Sequence, residues 1–190
     1  MSDVFAELNP PYSTIVADPP WPFVWSAGAG GRRARATKLS YSVTTVDEIA
    51  AMPVADLAAA DCTLFLWATR EVFREGDAVR VARAWGFNPV GELIWDKPNL
   101  GAGAWPRPTH EPILIARRGK PPVPVDRAFR SVQRWRQTYG TNHGKTHSAK
   151  PPAFGDVVEQ NFPGPYVELF ARQPRLGWDS FGHGYEIGTP

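Results

Sequence analysis

Asp18-Pro19-Pro20-Trp21 gathers three kinds of chemistry into four residues. Asp18 supplies a carboxylate. The two prolines lack an N–H and have a fixed φ, so they present rigid carbonyls with no competing donors. Trp21 offers a large flat face. Together they suit a planar ligand with an amino group: two N–H hydrogens need two acceptors, and a ring can stack on the indole. The same residues also read as a proline turn that ends a strand above a core tryptophan, and a short motif alone does not separate the two. Other spacings fall away. Gly28-Ala29-Gly30 fails the dinucleotide pattern G-x-G-x-x-G because position 33 is Arg. Gly144-Lys145-Thr146 is not a phosphate loop, because Tyr139 occupies the place of its first glycine. His143 and His147 have metal-ligand spacing for a helix, but Gly144 and the polar residues around it argue against a helix, so no metal is expected.

The elements that must position the motif follow from the apolar pattern. Residues 14–17 are a short apolar run that stops at Asp18-Pro19, as a strand does when prolines cannot continue it. Residues 22–42 form a Gly- and Arg-rich loop. Thr45 with Glu48 is a capping-box signal for a helix over 46–51. Residues 62–67 read as a buried strand, 70–86 as one helix ended by Gly86, 89–95 and 113–116 as strands, 153–160 as a helix with proline at its start, and 166–170 as a strand. The stretch 117–149 reads as irregular, and the Gly-rich tail 173–190 carries no assigned element. Strands alternating with helices imply an α/β fold, a mostly parallel central sheet with helices on both faces.

A chain of 190 residues suits a single domain over 1–190. One cysteine, Cys62, excludes a disulfide framework and a Cys-rich zinc site. No signal-type start and no apolar run near the membrane-spanning length of ~18 residues is present, so a soluble, cytoplasmic protein is expected. The net charge of +2 hides an uneven distribution. Residues 97–150 carry 11 basic and 2 acidic groups, whereas 1–96 carry 8 and 12 and 151–190 carry 2 and 5. A basic middle between acidic flanks is either a face for a polyanion or a solvated loop.

Across nearly its whole length the chain resembles the MT-A70 family of N6-adenine methyltransferases. The resemblance is carried by residues 14–21, Leu64-Phe65-Leu66-Trp67, Glu92 to Pro98 and His110 to Ala116. It continues through His147-Ser148-Ala149-Lys150-Pro151, Glu168 to Arg172, and Gly177 to Gly182. It implies a Rossmann-like class I methyltransferase fold in permuted order, with the catalytic strand first and the cofactor strand near the C-terminus. It implies S-adenosyl-L-methionine as cofactor and methylation of the N6 amine of adenine in nucleic acid, DNA before RNA. A non-catalytic nucleic-acid-binding subunit is a third reading, set against the intact Asp-Pro-Pro-Trp motif. The size matches compact bacterial or phage-type members, which leaves room for a homodimer or a methyltransferase-like partner subunit.

By the same resemblance, Asp18 and the Pro19 carbonyl accept the two amine hydrogens, Pro20 holds the turn and Trp21 stacks on the base. Asp18, Lys150, Glu168, Phe170, Arg172, Gly182 and His183 fall at the cofactor, with Lys150 on the methionine carboxylate; Phe170 reads equally as core. His183 stands where members usually carry Asn. Tyr41 and Glu111 shape the target-base pocket, and Arg107 and His110 belong to a substrate-facing loop. That loop reads Arg107-Pro108-Thr109-His110-Glu111 where many members have Arg-Asn-Gln-His-Glu. Arg107, Arg117, Arg118, Arg127, Arg130, Arg134 and Arg136 are the expected phosphate contacts, with Arg32, Arg33 and Arg35 across the cleft.

Overall fold

In a computed structural model of the protein, residues 3–22, 44–99, 106–136 and 150–182 are described. Seven strands form one sheet in the order β5-β3-β4-β2-β1-β6-β7. They are β1 (Tyr12–Ala17), β2 (Ala58–Trp67), β3 (Asn88–Asp96), β4 (His110–Arg118), β5 (Val132–Gln133), β6 (Tyr166–Leu169) and β7 (Trp178–Phe181). Pairings of β1 with β2 and β6, of β6 with β7 and of β3 with β5 are parallel. Only β4 runs against its neighbours β2 and β3. The sheet is thus mostly parallel as expected, with one reversed strand inserted where β3 turns back on itself. The carboxyl ends of six strands and the start of β4 lie along one edge.

The helices α1 (Val46–Ala50), α2 (Arg70–Glu75) and α3 (Asp77–Ala84) cover one face, and α4 (Pro152–Asn161) covers the other. The strand period of two explains this. Ile15, Ala17, Leu64 and Leu66 enter the core beneath α1–α3, whereas Val16, Phe65 and Trp67 pack against Phe154, Val158 and Phe162 from α4 and its end. The expected capping box is present: the Thr45 hydroxyl accepts from the Glu48 N–H at 3.2 Å and Glu48 accepts from the Thr45 N–H at 2.7 Å. Trp85 donates its indole N–H to the Ile49 carbonyl at 2.9 Å, tying the end of α3 to α1.

Three expectations change. The stretch 117–149, expected to be irregular, contains the short strand β5, which exists only because it pairs with Ile94 and Trp95 of β3. The helix over 70–86 is two helices, because Gly76 takes φ +83 and caps α2 before α3 begins. The tail contains a strand, β7, which completes the sheet beyond β6; its Trp178-Asp179-Ser180-Phe181 sequence lies too close to glycines to stand out by pattern. Among the described residues no helix is long and apolar enough to cross a membrane.

Candidate active site

The chain leaves β1 toward β2, β4, β3 and β5 on one side, then returns to β6 and β7 on the other. The crevice between β1 and β6 is therefore the topological switch point, where open α/β sheets bind ligands at strand carboxyl ends. Asp18 is the first residue past β1, and its N–H donates to the Leu169 carbonyl of β6 at 3.3 Å. The following turn is tight: the Trp21 N–H donates to the Pro19 carbonyl at 2.8 Å, and the Pro20 carbonyl accepts from Thr44 at 3.3 Å. A carbonyl oxygen has two lone pairs, so the Pro19 oxygen keeps one acceptor position.

Lys150 brings the site together. Its Nζ lies 2.9 Å from Asp18 Oδ2 and 3.5 Å from Glu111 Oε2. It also sits over the Trp67 ring, 5.1 Å from the centroid. Glu111, at the start of β4, pairs in turn with Lys97 just past β3. Charges of alternating sign thus run from Lys97 through Glu111 and Lys150 to Asp18. Burial acts to lower the Lys150 pKa, but Asp18 and Glu111 outweigh it and hold the ammonium above its ordinary value. Burial likewise pushes Glu111 up, and Lys150 and Lys97 more than reverse that.

Glu168 behaves differently. It lies in β6 beside Val16 of β1, close enough to Asp18 to feel its charge. Burial first, and Asp18 second, push its pKa up to about 7. A carboxyl that holds its proton more tightly when folded favours folding at low pH and loses that advantage as pH rises from 4.5 toward about 7. Glu168→Gln should therefore be more stable than the parent above pH ~7, by roughly 3 kcal/mol for a shift of about 2.5 pKa units at 1.36 kcal/mol each, with the difference vanishing below pH ~4.5. Urea unfolding at a series of pH values measures it; a constant difference at all pH values would contradict the assignment.

Phe170 ends β6 in the left-handed region at φ +64, which is why the strand stops one residue short of its expected end. Its half-buried ring packs against the core, so the core reading holds for the ring. Gly182 follows β7 with φ +118, and a Cβ there would stand 2.6 Å from the Phe170 Cα. Gly182→Ala should cost about 2 kcal/mol or more, because it adds both a clash and backbone strain. A melting temperature within a degree of the parent would refute this.

The remaining expected site residues separate. Trp21 is buried, and its indole N–H donates to the Trp67 carbonyl at 2.7 Å. That bond turns the ring into the core, so the stacking surface expected of Trp21 is corrected to a structural support under the turn. Arg172 is exposed and within electrostatic reach of Lys150. His110 is exposed at the start of β4, opposite Asp96, and Arg107 precedes it in the loop whose Thr109 carbonyl accepts from the Lys97 N–H at 2.6 Å. Arg134 is held by Asp96 Oδ2 through two hydrogen bonds of 2.8 and 2.6 Å, and Arg130 and Arg136 are exposed nearby in sequence. Arg117 and Arg118 are corrected. They pair with Asn88 and Cys62 at the opposite end of the sheet, and Arg118 donates to the Ala55 carbonyl at 2.7 Å. Tyr41, His183, His143, His147 and the arginines at 32, 33 and 35 lie outside the described residues. Sequence reasoning assigned no role to Trp67, Asp96 or Lys97. Their signal was membership of the motifs that carry the family resemblance, together with their position at strand carboxyl ends.

A mostly parallel sheet of this order, with an Asp-Pro-Pro turn and a buried lysine at its switch point, defines a Rossmann-like methyltransferase. The chain belongs to the MT-A70 family, whose model matches residues 12–184. It is 29% identical over 198 residues to the Type II methyltransferase M.MunI of Mycoplasma sp, covering 96% of this chain and 82% of that one. It is 32% identical to the N6-methyladenosine RNA methyltransferase MTA1 of Pyricularia oryzae, covering 91% of this chain and 46% of that one. It is 28% identical to the N(6)-adenine-specific methyltransferase METTL4 of Mus musculus, covering 90% and 37%. The chain thus spans most of the first relative and less than half of the other two.

Proposed function

We propose that the protein transfers a methyl group from S-adenosyl-L-methionine to the N6 amine of adenine in DNA. The observation that carries this reading is the Asp18 carboxylate beside the Pro19 carbonyl at the switch point, with Lys150 2.9 Å from Asp18. The residues present fit the cofactor: Asp18 and Glu168 suit its cationic parts, and Lys150 suits its carboxylate, with Phe170, Arg172 and Gly182 closing the β6–β7 side. When bound, it supplies an electrophilic methyl group.

The chain's own residues do the positioning. The adenine amine is a weak nucleophile because its lone pair is delocalised into the ring. Asp18 accepts one N–H and the Pro19 carbonyl accepts the other, which turns the lone pair out of conjugation and aims it. Fixed acceptors in a partly dry site cost no reorganisation at the moment of reaction. Glu111 and the Lys97 beside it border the base pocket. Trp21 keeps the turn rigid from below, and Pro20 restricts it from within. An adenine in a duplex is stacked away from such a site, so it must be flipped or unpaired. The cytoplasm, where nucleic acid is accessible, is the location that goes with this reading, and a second subunit would add nucleic-acid surface.

DNA is favoured because the chain spans most of a type II methyltransferase. Its 32% identity to an RNA methyltransferase supports RNA as the second reading. Incubation with methyl-labelled cofactor and matched single-stranded and duplex DNA and RNA, followed by nucleoside chromatography, tests both. Label should appear in N6-methyldeoxyadenosine. Label only in N6-methyladenosine would move the substrate to RNA, and label on neither would overturn the function.

A further inference from the structure

We propose that Glu168 is the acceptor that takes, by way of Asp18, the proton the adenine amine gives up on methylation, and that cofactor binding empties it for this task. This rests on the methylation reading above and adds the fate of the proton, which that reading leaves open. Val16 of β1 pairs with Glu168 of β6, and the ladder continues as Asp18 donates its N–H to the Leu169 carbonyl at 3.3 Å. With a side-chain period of two, Val16, Asp18 and Glu168 share the face that α4 covers, whereas Val167 and Leu169 enter the opposite core. Asp18 and Glu168 are thus diagonal neighbours on adjacent strands, roughly 7–8 Å apart at the backbone. Two carboxyl side chains span that gap directly or through one water.

The charged groups around Glu168 are engaged elsewhere. Lys150 pairs with Asp18 at 2.9 Å and with Glu111 at 3.5 Å, and Glu111 also holds Lys97. Arg175, in the connection from β6 to β7, is held by Asp156 and Glu159 of α4 at 2.6 and 2.7 Å. Arg172, past the end of β6, is exposed. On β7, Ser180 stands opposite Glu168, and the Asp179 carboxylate accepts from the Tyr12 hydroxyl. Among the described residues the Glu168 carboxyl has no ion pair and no hydrogen bond of its own. It is half-buried, shielded enough to hold a proton and open enough to exchange it with water. Burial and the Asp18 charge push its pKa up to about 7, with Arg175 and Lys150 pulling the other way.

The step balances without a further reactant. The N6 lone pair forms a bond to the methyl carbon, and the electron pair of the broken carbon–sulfur bond stays on sulfur. The positive charge moves from sulfur to N6, which makes the remaining N–H groups strongly acidic. Asp18, already the acceptor of one of them, takes the proton and passes it to Glu168, which restores the pair of Asp18 with Lys150. Before transfer, a cation beside Glu168 favours its carboxylate, so the group is free to accept. After transfer the sulfur is neutral, and Glu168 keeps the proton.

Proton counting tests this at two points, with Glu168→Gln as the comparison. Calorimetric titration with S-adenosyl-L-methionine, in two buffers of different ionisation enthalpy, counts the protons released on binding. At pH ~6 the parent should release close to one proton more than the variant, and at pH ~8.5 about the same number, because Glu168 of the free protein ionises through about 7. A single turnover on an oligodeoxynucleotide, started from the preformed cofactor complex in weakly buffered solution with an indicator dye, counts protons released per methyl group transferred. The variant should release about one at both pH values, and the parent about one at pH ~8.5 but nearly none at pH ~6, where Glu168 retains it. Equal counts for parent and variant at pH ~6 in either measurement would overturn the role of Glu168. If methyl groups are transferred while the counts agree, the proton role alone fails. If none reaches adenine in DNA or RNA, the methylation reading fails and the proton role with it.

Discussion

Asp18→Ala should reduce the turnover of methyl transfer by about a thousand-fold or more, equivalent to roughly 4 kcal/mol at 1.36 kcal/mol per tenfold. The reason is geometric. Asp18 follows β1 directly, its backbone is tied to β6, and its carboxylate is the acceptor held closest to the Lys150 ammonium. Loss of one preorganised partner of the reacting group costs on the order of 10²–10³ in turnover when that partner acts mainly in the transition state. Asp18→Asn keeps a carbonyl oxygen that accepts one N–H, so it should retain measurably more activity than Ala. Single-turnover assays with saturating cofactor would separate chemistry from binding. Turnover of the Ala variant within tenfold of the parent would mean that Asp18 is not the amine's acceptor.

Lys150→Ala should be the most disruptive change for both cofactor binding and stability. The ammonium is only 18% exposed, and it stands between two carboxylates that are 16% and 26% exposed. Removing one partner from a buried ion pair leaves the others without compensation. That should cost about 2–3 kcal/mol of stability near neutral pH, somewhat below the fully buried case because these groups keep some water. The loss should begin to shrink as pH falls below ~4.5, where the unfolded chain takes up its proton first, and should lessen further once the folded Glu111, held below its ordinary value by Lys150 and Lys97, is protonated in turn. S-adenosyl-L-methionine affinity should fall by a further ten- to hundred-fold, the scale of one charge-assisted hydrogen bond. Calorimetry and denaturation against pH read the two effects separately. Unchanged cofactor affinity with the stability loss intact would leave Lys150 a structural cation for Asp18 and Glu111.

The amino-acid sequence by itself determined β1 to β4 and β6, and where β1 must stop. Those are local matters: apolar runs bounded by Pro and Gly, and a Thr45–Glu48 cap, depend on residues within a few positions of each other. It also singled out Asp18, Glu111, Lys150 and Glu168, because their short motifs resemble those of the MT-A70 family. Gly76 was misread because a glycine inside a helical period is tolerated as often as it terminates a helix. β7 was missed because four residues beside glycines become a strand only when β6 offers an edge to pair with.

Only the tertiary structure decided what these residues do to one another. Glu111 and Lys150 are 39 positions apart in sequence, and Lys150 and Asp18 are farther still. Nothing in the chain's local pattern says that one lysine will stand between both carboxylates; strand order and register do that. The same holds for the arginines. Charge counting placed Arg117, Arg118, Arg134 and Arg136 in one basic segment. The reversal of β4 sends the first two to the far end of the sheet, while β5, parallel to β3, carries the last two toward the reacting edge. Trp21 shows the same limit at short range. Its aromatic face was legible, but its direction was set by a hydrogen bond to Trp67, a partner 46 residues away. Residue type fixes the chemistry a position can offer, whereas direction and company depend on contacts between distant segments, which exist only once the sheet has formed.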